Sequence, residues 1–260
     1  MEPVLFEINN SIGFITLNRP EKLNAFNREM ALSLQDKLDE CATSGQVRCV
    51  YITGAGKGFS AGQDLAEVVD PPGGGPGMQK ILSEQFNPII KKLRLLEKPV
   101  VAAVNGVAAG AGANIALCCD VVVAAESASF IQAFSKIGLI PDSSGTYFLP
   151  RLIGLQKASA FMMLGDKINA AEAERISMIY KYFADEVFEA ESKKIAAALA
   201  QMPTRGLWFT KKTLNKTFSN NWKKQLELED ELQQEAAATN DFKEGVQAFL
   251  EKRQPNFKGE

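Results

Sequence analysis

The sequence predicts an α/β fold with crossover connections between its strands. Three observations carry that expectation. Strand and helix periodicities alternate along most of the chain, and two short runs, Val100 to Val104 and Val121 to Ala124, are continuously apolar, as in strands covered on both faces. Beyond Ala170 the pattern turns almost wholly helical.

In chain order, Leu5 to Ile8 and Gly13 to Leu17 read as two strands of a hairpin, with Asn9, Asn10 and Ser11 supplying the turn. After Asn27 the period changes. Met30, Leu34, Leu38 and Cys41 form an apolar stripe at helical spacing that stops near Gly45, and Val47 to Thr53 follows as a strand. Asp70 to Met78, DPPGGGPGM, carries prolines and glycines that oppose both helix and strand, so it is expected to be a surface loop. The small-residue stretch Ala109 to Cys118, between the two apolar runs, suits a tightly packed helix. In the helical last third, Glu227, Glu229, Asp230 and Glu231 are expected on a solvated face, with Trp222, Leu226 and Leu232 turned inward. A core over 1–200 and a helical region over 201–260 is the expected division.

The composition narrows the function classes. With 260 residues, 46% of them hydrophobic and 23% charged, the chain can bury a sizeable core. A formal net charge of −2 with dispersed Lys and Arg offers no cationic field for nucleic acid or an anionic membrane. No apolar run reaches the length of a membrane span, and the segment MEPVLFEINN lacks the pattern of a secretory signal, so a cytosolic protein is expected. Cys41, Cys49, Cys118 and Cys119 show no C-x-x-C spacing and read as buried thiols, with no metal site expected. Histidine is absent. Proton transfer must therefore fall to Asp, Glu, Lys, Tyr, Cys or water.

Two glycine clusters stand out. Gly54-Ala-Gly56-Lys-Gly58 lacks the Gly-Lys-Ser/Thr ending of a P-loop, and Gly110-Ala-Gly112 lacks the third glycine and later acid of a dinucleotide fingerprint. Each is read as lying between a strand and a helix, where outward N–H groups could converge on an anion. Asp142 is the only acidic side chain in the glycine-rich turn that follows, and is the candidate reaction centre. The same PDSSG context also suits a helix N-cap at Asp142.

Five segments carry a resemblance: NRPEKLNAFN at 18–27, GFSAGQDL at 58–65, NGVAAGAGANIALCCD at 105–120, GLIPDSSGTYFLPRLIG at 138–154 and EGVQAFLEKRQPNFKG at 244–259. In order and spacing they resemble the enoyl-CoA hydratase/isomerase superfamily, the crotonases. The resemblance implies a spiral of ββα units with a helical C-terminal trimerisation region, assembled as a homotrimer or dimer of trimers and acting on acyl-CoA thioesters. Coenzyme A then arrives as part of the substrate, with no separate cofactor.

Carried over by position, the resemblance places an oxyanion hole at the backbone N–H groups of Gln63 and Ala111. It places CoA contacts at Lys22, Leu23, Ala25, Ala61, Asp64, Leu65, Phe249 and Lys252. Asp64 also suits a cap on the helix that follows it. The family's hydratases hold a water between two glutamates, and the matching positions here are Asn114 and Phe134. Neither can move that proton, so efficient hydration is not expected. Asp142 matches the position where several isomerases of the family carry their acid. Phe134, Tyr147 and the residues around Ile81 to Phe86 are expected to wall the acyl pocket. The combination resembles the family's isomerases of ring epoxides carried on CoA; a Δ3,Δ2-enoyl-CoA isomerase, a hydratase and a non-catalytic acyl-CoA binder are the alternatives.

Overall fold

The computed structural model describes residues 2–69 and 75–260. Ten strands make two sheets: β1 (Val4–Asn9), β2 (Ile12–Leu17), β3 (Cys49–Gly54), β4 (Gly58–Ser60), β5 (Val100–Val104), β6 (Val107–Ala109), β7 (Val121–Ala125), β8 (Ser129–Ile131), β9 (Lys167–Asn169) and β10 (Lys181–Phe183). The larger sheet has the order β1-β2-β3-β5-β7-β10, and the smaller β4-β6-β8-β9. β1 and β2 pair antiparallel across a two-residue turn whose Asn10 and Ser11 both have positive φ. That is the turn chemistry a tight hairpin demands. From β2 to β10 the larger sheet is parallel.

The topology follows from a repeated step. β3, β5 and β7 each lie in the larger sheet, and the strand after each, β4, β6 or β8, crosses into the smaller one; helical segments return the chain after β4 and β6, whereas after β8 they lead first to β9 in the smaller sheet. This is the expected spiral of ββα units. The corners at which the chain changes sheet press on one another. A Cβ on Gly106, between β5 and β6, would lie 2.1 Å from the Lys57 carbonyl, between β3 and β4. Buried Asn24 joins this junction by donating from Nδ2 to the Ala55 and Gly58 carbonyls at 2.9 and 2.7 Å. The first glycine cluster is thus a strand-to-strand corner, against the expectation that it precedes a helix.

The helix Arg28–Thr43 begins where Asn27 Oδ1 accepts from the Met30 N–H, and it buries the whole expected stripe, Met30, Leu34, Leu38 and Cys41. Each such aliphatic side chain contributes roughly 1.5–3 kcal/mol by leaving water. The expected helix over Ala109 to Cys118 is shorter, Ala111–Leu117, because Ala109 ends β6. Of the expected loop, residues 70–74 lie outside the described residues, and Gly77 and Met78 already open the helix Gly77–Lys80. The helical last third is interrupted by β10, which joins the larger sheet beside β7.

Helices Asp185–Gln201, Thr204–Leu214, Trp222–Ala237 and Asn240–Glu251 complete the chain. Lys211 anchors the second of these to the core: its Nζ lies 2.8 Å from Asp120 Oδ2 and donates to the Leu93 carbonyl at 2.7 Å. Arg48 ties in the tail, donating to Thr204 Oγ1 at 3.0 Å and to the Phe257 carbonyl at 2.7 Å. The acidic run from Glu227 to Glu231 is exposed as expected, and Leu232 is buried. Trp222 and Leu226, however, are exposed, because Trp222 sits at the helix start, beyond the contact that covers Leu232. No helix among the described residues is long and apolar enough to cross a membrane.

Candidate active site

The site forms where the end of β4 meets the end of β6. After Ser60 the chain turns through Gly62 at φ +90, and the Ser60 hydroxyl accepts from the Gly62 N–H at 3.2 Å. Gly62 O then accepts from Phe26 N at 2.6 Å, and Asp64 N donates to Phe26 O at 2.8 Å. In an extended segment successive N–H groups face opposite ways, so the Gln63 N–H points away from this pairing. β6 ends at Ala109, and Gly110, at φ +51, swings the chain into the helix that begins at Ala111. The first N–H groups of a helix have no partner within it. Neither the Gln63 nor the Ala111 N–H donates to another described residue. The two turns touch: a Cβ on Gly62 would lie 2.8 Å from the Ala109 carbonyl oxygen and 3.3 Å from the Ala111 nitrogen.

These turns open on a cleft of about 150 Å³. Apolar side chains dominate its walls, including Leu65, Met78, Ile81, Phe86, Phe134 and Leu139. Ile81 and Phe86 bound a six-residue π-helical stretch, Ile81–Phe86, a rare geometry that recurs at functional sites. Among the described lining residues Asp142 is the only ionisable one. Burial raises its carboxyl pKa above the ordinary value, and the Ser143 hydroxyl, which donates to Oδ1 at 2.9 Å, partly opposes that rise.

Asp142 does not cap the next helix. Ser143 and Ser144 both adopt left-handed backbone, so the helix starts only at Gly145, with no side-chain cap. The carboxylate is thereby left free of the backbone and directed to the cleft. Its own backbone carbonyl accepts from Asn114 Nδ2 at 2.9 Å, and Asn114 Oδ1 accepts from Gln132 Nε2 at 2.8 Å.

Several expected site residues are brought together. Gln63, Ala61, Leu65, Ala111, Phe134 and Asp142 all line the cleft. Leu23 adjoins it through the Ala61 N–H, which donates to the Leu23 carbonyl at 2.9 Å, and Ala25 follows two residues on, its own carbonyl accepting from Arg19. Lys22, exposed, ends the short helix Pro20–Lys22 just before them. Asp64 is committed to structure: it accepts from the Ala66 N–H at 3.2 Å, as the capping reading expects, and pairs with Arg19 at 2.9 Å.

Other expected residues lie outside this cleft. Asn114, 1% exposed, lies behind the cleft wall because both ends of its amide are engaged. Tyr147, the third residue of the helix Gly145–Ile153, does not line the cleft: its ring lies 3.6 Å from the Arg151 guanidinium, and it faces a separate hollow with Trp208 and Phe218. Phe249 and Lys252 lie on the last helix, which contributes nothing to the cleft in this chain, and Phe249 lines a different apolar hollow. Sequence reasoning missed Gln132 and Ser143; only the hydroxyl next to Asp142 carried a local signal.

The chain and its fold are similar to known proteins. The family model described as enoyl-CoA hydratase/isomerase matches residues 7–260. The 1,2-epoxyphenylacetyl-CoA isomerase of Escherichia coli strain K12 is 44% identical over 260 residues, covering 100% of this chain and 99% of the relative. A Rhodobacter capsulatus protein named "Probable enoyl-CoA hydratase" is 43% identical over 256 residues, 98% of each chain. The crystal structure of enoyl-CoA hydratase from Bacillus anthracis superposes with a TM-score of 0.92 at 30% identity, covering 99% of this chain and 100% of that one. With its ββα spiral, full-length family match and close relatives, the chain belongs to the enoyl-CoA hydratase/isomerase family of enzymes.

Proposed function

We propose that this enzyme is an acyl-CoA isomerase that works through a thioester enolate, with 1,2-epoxyphenylacetyl-CoA as substrate and oxepin-CoA as product. One observation carries the reaction class: among the described residues Asp142 is the sole ionisable side chain lining a largely apolar cleft that also receives the Gln63 and Ala111 turns. The thioester oxygen takes the two backbone N–H groups, which stabilise it most once it carries the enolate charge; a donor of this kind is worth roughly 2.7–4 kcal/mol in the transition state. Asp142 removes a proton from the carbon next to the thioester, and the electron pair moves onto the thioester oxygen. Ring expansion then breaks the C–C bond that the epoxide shares with the six-membered ring, so the oxygen keeps both of its C–O bonds and enters the seven-membered ring. An isomerisation conserves protons, so the proton taken up is given back at another carbon.

The substrate rests on the E. coli relative and on the aromatic wall at Phe134 and Phe86. The same acid would serve a Δ3,Δ2-enoyl-CoA isomerase by moving a proton between the alpha and gamma carbons. Hydration is disfavoured because Asn114 and Phe134 stand where a hydratase carries glutamates. In this reading Lys22, Leu23, Ala25, Ala61 and Leu65 hold the CoA portion beside the cleft. Region 201–260, with Phe249 and Lys252 exposed, makes the contacts of a homotrimer or dimer of trimers around the 1–200 cores.

The test is an assay of the purified protein with epoxyphenylacetyl-CoA generated in place, with 3-enoyl-CoA and with crotonyl-CoA, each repeated with Asp142→Asn. Isomerisation should dominate and should be lost in the variant. Activity unchanged by Asp142→Asn, or crotonyl-CoA hydration faster than every isomerisation, overturns the proposal.

A further inference from the structure

One side chain ties together the three pieces of the site. Asn114 lies one helical turn beyond Ala111 on the helix Ala111–Leu117, so it shares a rigid element with a proposed oxyanion donor. Its Nδ2 donates to the Asp142 carbonyl at 2.9 Å, and its Oδ1 accepts from Gln132 Nε2 at 2.8 Å. Gln132 directly precedes the short helix Ala133–Ile137 that carries Phe134. The polarity of this chain of amides is forced. A backbone carbonyl can only accept, so Asn114 must present nitrogen to Asp142 and oxygen to Gln132.

The surroundings leave the amide nowhere else to go. Asn114 and Gln132 are each 1% exposed. A Cβ at Gly145 would fall 2.3 Å from Asn114 Nδ2 and 2.6 Å from Cγ, so the glycine lets the next helix close over the amide. The residues just after Asp142, Ser143 and Ser144, are in left-handed conformations that cost side-chain-bearing residues energy and persist only where neighbours impose them. The Asp142 carbonyl closes a turn over that pair by accepting from the Gly145 N–H at 2.8 Å, and the buried Asn114 amide, bonded to the same carbonyl, fixes that turn against the helix that starts at Ala111.

We infer that Asn114, backed by Gln132, is a positioning residue that holds Asp142 in register with the Ala111 N–H, so that base and oxyanion donor stay at a fixed mutual spacing. This rests on Asp142 being the base. Loss of the relay then leaves substrate binding intact and lowers the rate of the chemical step, because small displacements of a reacting group are costly: about 1 Å of misplacement can lower a rate about 100-fold.

The experiment measures kcat and KM for the isomerisation in the full-length protein and in Asn114→Leu, Gln132→Met, Asp142→Asn and the double variant Asn114→Leu/Asp142→Asn. Folding is followed by circular dichroism and thermal melting. Asn114→Leu is expected to lower kcat about 10- to 100-fold with KM held within about 2-fold. Gln132→Met, which leaves the Asn114 oxygen without its donor, should change kcat in the same direction by a smaller factor and serves alone if Asn114→Leu does not fold. In the Asp142→Asn background, Asn114→Leu should have no further effect, since there is no base left to position. A folded Asn114→Leu or Gln132→Met with wild-type kcat overturns the inference, and so does a loss that persists undiminished in the double variant. Unchanged activity in Asp142→Asn alone instead removes the assignment of the base, a different failure.

Discussion

Gly62 and Ala111 meet backbone to backbone: a Cβ at position 62 would stand 3.3 Å from the Ala111 nitrogen and 2.8 Å from the Ala109 carbonyl oxygen, with φ at +90. Two N–H groups from segments almost fifty residues apart are therefore set side by side by atoms that cannot yield.

Gly62→Ala breaks that contact. The added methyl meets backbone on the opposite turn and sits at a φ that side chains resist, so the Gln63 N–H must move. The expected result is a fall in kcat of about 100-fold, the cost of losing one such donor. Steady-state kinetics on protein shown by circular dichroism to be folded checks this.

The Asp142 carboxyl, its pKa raised by burial, must be ionised to act as a base. kcat/KM should therefore fall as pH drops through that raised pKa. Ser143→Ala removes the hydrogen bond that opposes the rise, so the acid limb of its pH–rate profile should shift to higher pH. A limb that stays put or shifts downward contradicts the assignment.

The same shift has a stability consequence. A carboxyl with a higher pKa folded than unfolded binds more protons in the native state, so its contribution to stability is full below the unfolded pKa and is lost as pH rises through the folded one. Asp142→Asn should thus melt higher than the wild type near neutral pH, and the gap should close in acid. Thermal melts across that range decide the sign.

All four cysteines are buried and free, and burial pushes Cys41 and Cys118 up to about 12 and raises Cys49 and Cys119 as well. Thiolate is the reactive form. A thiol-specific disulfide reagent at neutral pH should label none of them in the native protein and all of them in denaturant.

Lys211 is 5% exposed and shares Asp120 with Arg94, whose NH1 is 3.0 Å from the other carboxylate oxygen. Lys211→Met leaves Asp120 with less compensation in a half-closed site and orphans the Leu93 carbonyl. The expected loss is about 3 kcal/mol, the low end for breaking a buried pair. Urea unfolding measures it.

What the residues disclose by themselves depends on how local the physics is. The Met30, Leu34, Leu38 and Cys41 stripe was readable because one helix face is buried at helical spacing, and the first hairpin because Asn10 and Ser11 tolerate positive φ. β6, which overlaps the expected helix only at Ala109, is not legible: three residues long, it exists through pairing with β4 and β8, which periodicity cannot register. Likewise Asp142 is visible as an isolated acid, whereas the two left-handed serines that deny it a capping role belong to a turn closed by the Gly145 N–H on the Asp142 carbonyl and braced by Asn114, 28 positions away. Gln132 was invisible, since its partner Asn114 lies 18 positions away. Tyr147 misled for the opposite reason, as an aromatic beside the right motif whose helix turns it toward Arg151.

A cleft with one carboxyl is also a one-sided cleft. Asp142 reaches the substrate from a single wall, and among the described residues no other lining side chain can exchange a proton with it. The hydrogen lifted from the alpha carbon and the hydrogen set down elsewhere must then share one face of the enolate plane, a suprafacial transfer. Because the apolar walls slow exchange with solvent, deuterium placed on the alpha carbon should survive in part into the product molecule it started in.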